Sequence, residues 1–328
     1  MQHLPFAPDP GGDHAVSQWV DLDGPTHYVD HGGPADGPLV VCVHGLGGSH
    51  ANWAAIAPRL TQTCRVLAVD LPGHGRTPAH ARSTAVTTSQ RLLHRFVIEV
   101  AGSPAVLVGN SMGAMVSILQ AHAHPDTVAG LVLIDPALPQ LRLARPNPLV
   151  ALGFVAHAVP PIGAALLASR RSTAEHAIEH LLRLCCVNPS RVPSNVVDIS
   201  VQLTRERRAY PGAAGEFLTA ARSLILVLAP HWAYEAKMRD IRVPVLLLHG
   251  EKDRLVSLAS ARVVARANPL WRFEVAADVG HVPQLEAPGW TVDAILDWLT
   301  IEGRPAAIGA AGQAVAERVV PPRSDQGL

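Results

Sequence analysis

Short continuous apolar runs recur along the chain, separated by segments whose apolar positions return every three to four residues. Leu39-Val40-Val41-Cys42-Val43 is one such run, as expected of a strand buried on both faces. Arg65–Val69, residues 105–108, Val128–Ile134, residues 243–248 and residues 272–275 also read as strands. Residues 16–22 and 26–30 read as a hairpin turning near Asp23-Gly24-Pro25. Helices are expected at 52–60, 89–100, Met112–Ala123, Leu258–Ala267 and 288–300. In the second of these, Leu92, Leu93, Phe96, Val97 and Val100 make one face. Strands alternating with helices argue for an α/β fold, with a mostly parallel central sheet and helices on both faces.

The rhythm breaks from Pro136 to about Arg239, where Pro-rich turns and apolar helical pieces replace the strands. Residues 223–228 are apolar enough for a strand, but length and context favour a buried helix. The expected organisation is a flexible leader at 1–15, a core built from 16–135 and 240–302, an inserted helical cap at 136–239 and a disordered tail at 303–328. Residues 149–168 are almost wholly apolar and roughly as long as a bilayer is thick. Pro160-Pro161 in their middle, with Gly153, His157 and Gly163 around it, favours two short apolar helices. Such a cap could touch a lipid surface without crossing it.

Composition narrows the function classes. Hydrophobic residues make up 48% and charged residues 16%, enough for a large core. The formal net charge of +0 lacks the basic excess of a nucleic-acid binder. The 17 histidines are scattered, and no His/Cys/Asp spacing reads as a metal site. The four cysteines do not form a disulfide framework, so a reducing, cytoplasmic setting is the simpler reading. Met1-Gln2-His3-Leu4-Pro5 lacks the pattern of a secretory signal.

The strongest chemical signal is Gly109-Asn110-Ser111-Met112-Gly113, placed between the apolar run at 105–108 and a helix. A serine hydroxyl is a useful nucleophile only when exposed, oriented and deprotonated as it attacks. A sharp strand-to-helix turn does the first two jobs, and small neighbours at 109 and 113 make room for it. The following helix N-terminus favours developing negative charge. His44-Gly45-Leu46-Gly47-Gly48-Ser49 follows another strand and can aim a main-chain N–H into the site, so Leu46 and Met112 are the expected oxyanion donors. Gly-Lys-Ser/Thr does not follow these glycines, which argues against a phosphate-cradling loop.

Asp278-Val279-Gly280-His281 follows a late strand, and His281 is the expected base. An acid must orient its imidazole. Asp253, in Gly250-Glu251-Lys252-Asp253, is the first choice; Asp135 is the rival, and Glu251 shares the loop. His44, Asp70 and Asp278 read as structural.

These motifs, with Asp70-Leu71-Pro72-Gly73-His74-Gly75, occur in the order found in the α/β-hydrolase fold superfamily, and the chain resembles a capped serine hydrolase of that group. The resemblance covers roughly residues 16–135 and 240–300. It implies a Ser-Asp-His triad, an oxyanion hole and no cofactor or metal. Superfamily members with an aspartate nucleophile differ at Ser111. Carbon–carbon bond hydrolases are similar around Ser111, but usually carry Trp where Val282 stands. The expected substrate is a small, apolar carboxylic ester, with carbon–carbon or other non-ester cleavage as the alternative and a non-catalytic binding protein as a third reading. The residues give no oligomeric state.

Overall fold

The computed structural model describes residues 15–139 and 173–301, together with the backbone of 318–320. The strands are β1 (Val16–Asp21), β2 (Pro25–Gly32), β3 (Leu39–Val43), β4 (Arg65–Val69), β5 (Ala105–Asn110), β6 (Val128–Ile134), β7 (Val245–Gly250), β8 (Arg272–Ala276) and β9 (Arg318–Val320). They form one sheet in the order β1-β2-β4-β3-β5-β6-β7-β8-β9. β1 and β2 pair antiparallel, as do β2 and β4. The pairs from β4–β3 onward are parallel.

The central strands are apolar throughout because both faces are covered. Val41, Val43, Leu107, Leu131 and Leu247 join one buried cluster, with Leu93 and Phe96 of α2 (Val86–Phe96) and Met115 and Ile118 of α3 (Met112–Ala123). Their neighbours Val40, Cys42, Val106, Val108, Val132 and Leu246 face the other way. They meet Leu60 of α1 (Ala57–Leu60) and Ile295 and Trp298 of a C-terminal helix, Pro288–Ile301. Alternate residues of one strand thus feed two cores. The parallel register also brings the carboxyl ends of β5, β6, β7 and β8 to one edge, which is where α/β sheets place their sites.

Between β6 and β7, the described residues form α4 (Ala174–Cys185), α5 (Ser194–Arg208), α6 (Ala213–Leu228) and α7 (His231–Arg239). This insertion is tied to the core through polar contacts. Thr84 Oγ1 donates to the Glu216 carbonyl at 2.6 Å, and Val86 N–H donates to Ser223 Oγ at 2.8 Å. Arg76 Nε donates to Glu206 at 3.2 Å. No single helix among the described residues is long and apolar enough to cross a membrane. The pair α5 and α6 passes on length and composition only when joined, and it bends by 109°. The apolar run at 149–168 lies outside the described residues.

Some expectations change. The helix expected at 52–60 is broken into a turn at His50–Trp53 and the short α1, with Pro58 beside the break. Residues 223–228 are helical as expected, but Leu226 there is 70% exposed rather than buried. The tail expected to be disordered contributes β9, which pairs parallel with β8. Three residues are too short to show a period, yet an open β8 edge gives them a partner. After β7 come α8 (Leu258–Ala267), α9 (Pro283–Glu286) and α10, the Pro288–Ile301 helix.

Candidate active site

Ser111 sits between β5 and α3 with φ 54° and ψ −113°, outside the usual allowed regions for a side-chain-bearing residue. The turn closes tightly around it. A Cβ on Gly113 would lie 2.0 Å from the Val43 carbonyl oxygen, and one on Gly109 would lie 2.6 Å from the Ala114 backbone. Only hydrogen fits at either place. Asn110 braces the turn from below, its side-chain amide donating to the Ile134 and His281 carbonyls at 3.1 Å each. One amide therefore ties the Ser111 strand to both the end of β6 and the His281 loop.

The structure brings His281 and Asp253 together. His281 Nδ1–H donates to Asp253 Oδ2 at 2.7 Å, which leaves Nε2 as the nitrogen free for the serine side. The other Asp253 oxygen accepts the Leu255 and Val256 N–H groups at 2.7 and 3.2 Å. Burial raises the pKa of this carboxyl, but the His281 ring with its hydrogen bond, the His249 ring and a hydrogen bond with Asp135 outweigh it, so the net shift is downward. The Ser111 hydroxyl has no hydrogen-bond partner among the described residues, and such contacts often form only with substrate present.

The loop after β3 reaches the same place. A Cβ at Gly45 would stand 3.2 Å from Ser111 Cβ, and Leu46 follows it. Met112 is the first helical residue of α3, so its N–H is one of the unpaired amides at a helix start. The loop is held from beneath by buried histidines. His44 Nδ1–H donates to the Gly45 carbonyl at 2.8 Å, while its Nε2 accepts the Leu71 N–H at 3.0 Å. Asp70 accepts His27 Nδ1–H at 2.8 Å, the His50 N–H at 2.7 Å, His50 Nδ1–H at 2.9 Å and the Arg76 N–H at 3.0 Å. Asp70 thus works as an internal hub. Asp278, at φ 55°, turns the chain and pairs with Arg191, and Glu251 accepts the Asp278 N–H.

Sequence reasoning missed two buried groups. Glu286 accepts N–H groups from Val187 at 3.1 Å, Asn188 at 2.7 Å and Gly280 at 2.8 Å, clamping the inserted helices onto the His281 loop. His281 N–H itself donates to the Cys185 carbonyl at 2.6 Å. His249 lies wholly buried beside Asp135. His249 directly precedes the Gly250-Glu251-Lys252-Asp253 loop but carries no role that spacing suggests, and Glu286 stands in no motif, so only the packing reveals what they do.

An elbow serine, a paired histidine and carboxylate, and a donor loop at one sheet edge define a hydrolase-type site. The family model described as "Alpha/beta hydrolase family" matches residues 40–294, and the chain belongs to that family and is a hydrolase. It is 25% identical over 284 residues to mouse (Mus musculus) "Monoacylglycerol lipase ABHD6", covering 83% of this chain and 78% of that protein. It is 31% identical over 262 residues to the "Pimeloyl-[acyl-carrier protein] methyl ester esterase" of Aromatoleum aromaticum, covering 76% and 94%. Among solved structures, the "putative lipase (lip1)" of Acinetobacter baumannii AYE superposes with TM-score 0.73 at 23% identity, covering 88% and 91%, a likeness of fold.

Proposed function

We propose that this hydrolase cleaves a lipophilic carboxylic ester through an acyl-enzyme on Ser111. The observation that carries the reading is the 2.7 Å His281–Asp253 bond at the sheet edge where Ser111 stands on its strained turn. His281 Nε2 takes the Ser111 proton as the hydroxyl attacks the ester carbonyl. The N–H groups of Leu46 and Met112 hold the oxyanion. Asp253 stays ionised and steadies the imidazolium. The alcohol leaves with the proton from His281; a water that His281 deprotonates then releases the acid. The reaction as written uses no cofactor.

The names of the mouse and Aromatoleum aromaticum relatives both describe ester cleavage, which supports an ester substrate. The cap at 136–239 supports an apolar substrate, because Phe217 of α6 lies over Gly47 of the donor loop and Leu224 joins the main core. Leu226 and Trp232, 70% and 68% exposed near the α6–α7 junction, support a cap that touches lipid. Hydrolysis of p-nitrophenyl esters of rising chain length tests the reading. kcat/KM rises from acetate to medium chains if it holds. Acetate preference without gain overturns the lipophilic part, and turnover of vinylogous diketones in place of esters overturns the ester part. A fluorophosphonate probe labels the wild type and not Ser111→Ala.

A further inference from the structure

Asp135 stands one residue past β6 and is completely buried. Its N–H donates to the Leu248 carbonyl at 2.9 Å, continuing the β6–β7 pairing. Its carboxyl lies behind the proposed catalytic acid: Asp135, Asp253 and His281 each place one polar side-chain atom within 4.8 Å of the others. Two carboxylates so close and out of water cannot both be ions without a large penalty.

The donors decide which one keeps the charge. Asp253 accepts Leu255 N–H, Val256 N–H and His281 Nδ1–H. Asp135 accepts one backbone donor, the Gly250 N–H at 3.0 Å. Its other close neighbour is His249, whose Nδ1 is 3.2 Å from Asp135 Oδ1. His249 Nε2–H donates to the Val256 carbonyl at 3.2 Å. In a neutral ring that bond puts the proton on Nε2 and leaves Nδ1 a bare acceptor in need of a donor. A protonated Asp135 can supply it, whereas an ionised one cannot.

We propose that Asp135 is a neutral, protonated acid and a positioning residue, leaving Asp253 the single negative charge behind His281. Its functional meaning rests on the triad reading above. The groups facing it agree. Burial and the charge of Asp253 push the Asp135 pKa well above the carboxylate range, and Glu286 adds to this. Burial pulls His249 down to about 4, which keeps that ring neutral at working pH. Cys185, also nearby, is raised by its own burial and stays a neutral thiol. The two carboxyls behind the proposed base therefore differ in role through their donors and the charges around them.

Infrared spectroscopy of the full chain with carbon-13 in the aspartate carboxyl tests the protonation. At neutral pH the wild type shows a protonated-acid band that shifts with the label, also in Ser111→Ala, and Asp135→Asn lacks it. Imidazole nitrogen-15 NMR shows His249 neutral with its proton on Nε2. A wild type with only ionised carboxylate bands, or with a cationic His249, overturns the proposal. Neither spectrum depends on turnover, so a failed triad is read separately, from Ser111→Ala activity.

The positioning role is read from pH profiles. The acidic limb of kcat/KM stays in place in Asp135→Asn, which keeps one donor and one acceptor. A limb lowered by about one unit or more would mean that an anion had been removed. Asp135→Ala lowers kcat about 10–100-fold with little change in KM, and Asn restores most of it. Equal losses in both variants overturn the role.

Discussion

At Ser111 the backbone is strained in the turn between β5 and α3, so removing the oxygen removes the proposed nucleophile alone. Ser111→Ala is expected to lose ester turnover by at least about four orders of magnitude while folding normally, with circular dichroism as the control. Asp253→Asn is expected to lose about 10⁴-fold in kcat, because the amide favours the wrong imidazole tautomer. The two buried aspartates also act oppositely on stability. Asp253 is held below its ordinary pKa, so its contribution is present above about pH 4 and lost as pH falls through the folded value. Asp135 is held above, so its contribution is full below about pH 4 and lost as pH rises toward the folded value. Calorimetry from about pH 4 to pH 8 therefore shows the melting temperature of Asp135→Asn rising relative to wild type. The placement of Ser111, Asp253 and His281 after β5, β7 and β8 was legible because each follows a strand within a recognisable turn. The clamp at Glu286 and the pairing of Asp135 with His249 were not, since burial and neighbours arise only when distant segments meet.

At the level of elements, the strand–helix alternation was readable because both-sided burial writes continuous apolar runs. The break in residues 52–60 and the three-residue β9 were not, because the first turns on one proline and the second on an edge made by other strands. Two joints carry the site. The first is the elbow, where Gly113→Ala drives a methyl group into the Val43 carbonyl. Its expected cost is about 3 kcal/mol, the upper end of ordinary overpacking, measured by denaturant unfolding. The second is the Glu286 clamp. Glu286→Ala removes the shared acceptor of three N–H groups, the one on Gly280 buried, at the seam between the inserted helices and the His281 loop. Limited proteolysis should cut within residues 186–193 faster in this variant, with kcat reduced. Unchanged cleavage would show that the seam is held by other contacts.

Across the whole molecule, a sheet with two cores carries the chemistry and a helical insertion lies over one edge. The insertion presents Leu226 and Trp232 to solvent, and a neutral net charge gives no electrostatic help in reaching a surface. Leu226→Ser with Trp232→Ser is expected to weaken binding to phosphatidylcholine vesicles severalfold, with little dependence on salt and unchanged turnover of a short soluble ester. Strong salt sensitivity would point to charge instead. The Asn110 amide, with its two bonds to Ile134 and His281, has a thermal consequence. It ties the proposed nucleophile and base to the central sheet, while the insertion packs over one edge through Leu224, Tyr234 and Met238 and a few polar ties. On warming toward the main transition, the enzyme should first become indiscriminate and only later become inactive. The ratio of long- to short-chain ester turnover then falls several degrees before short-chain turnover itself collapses.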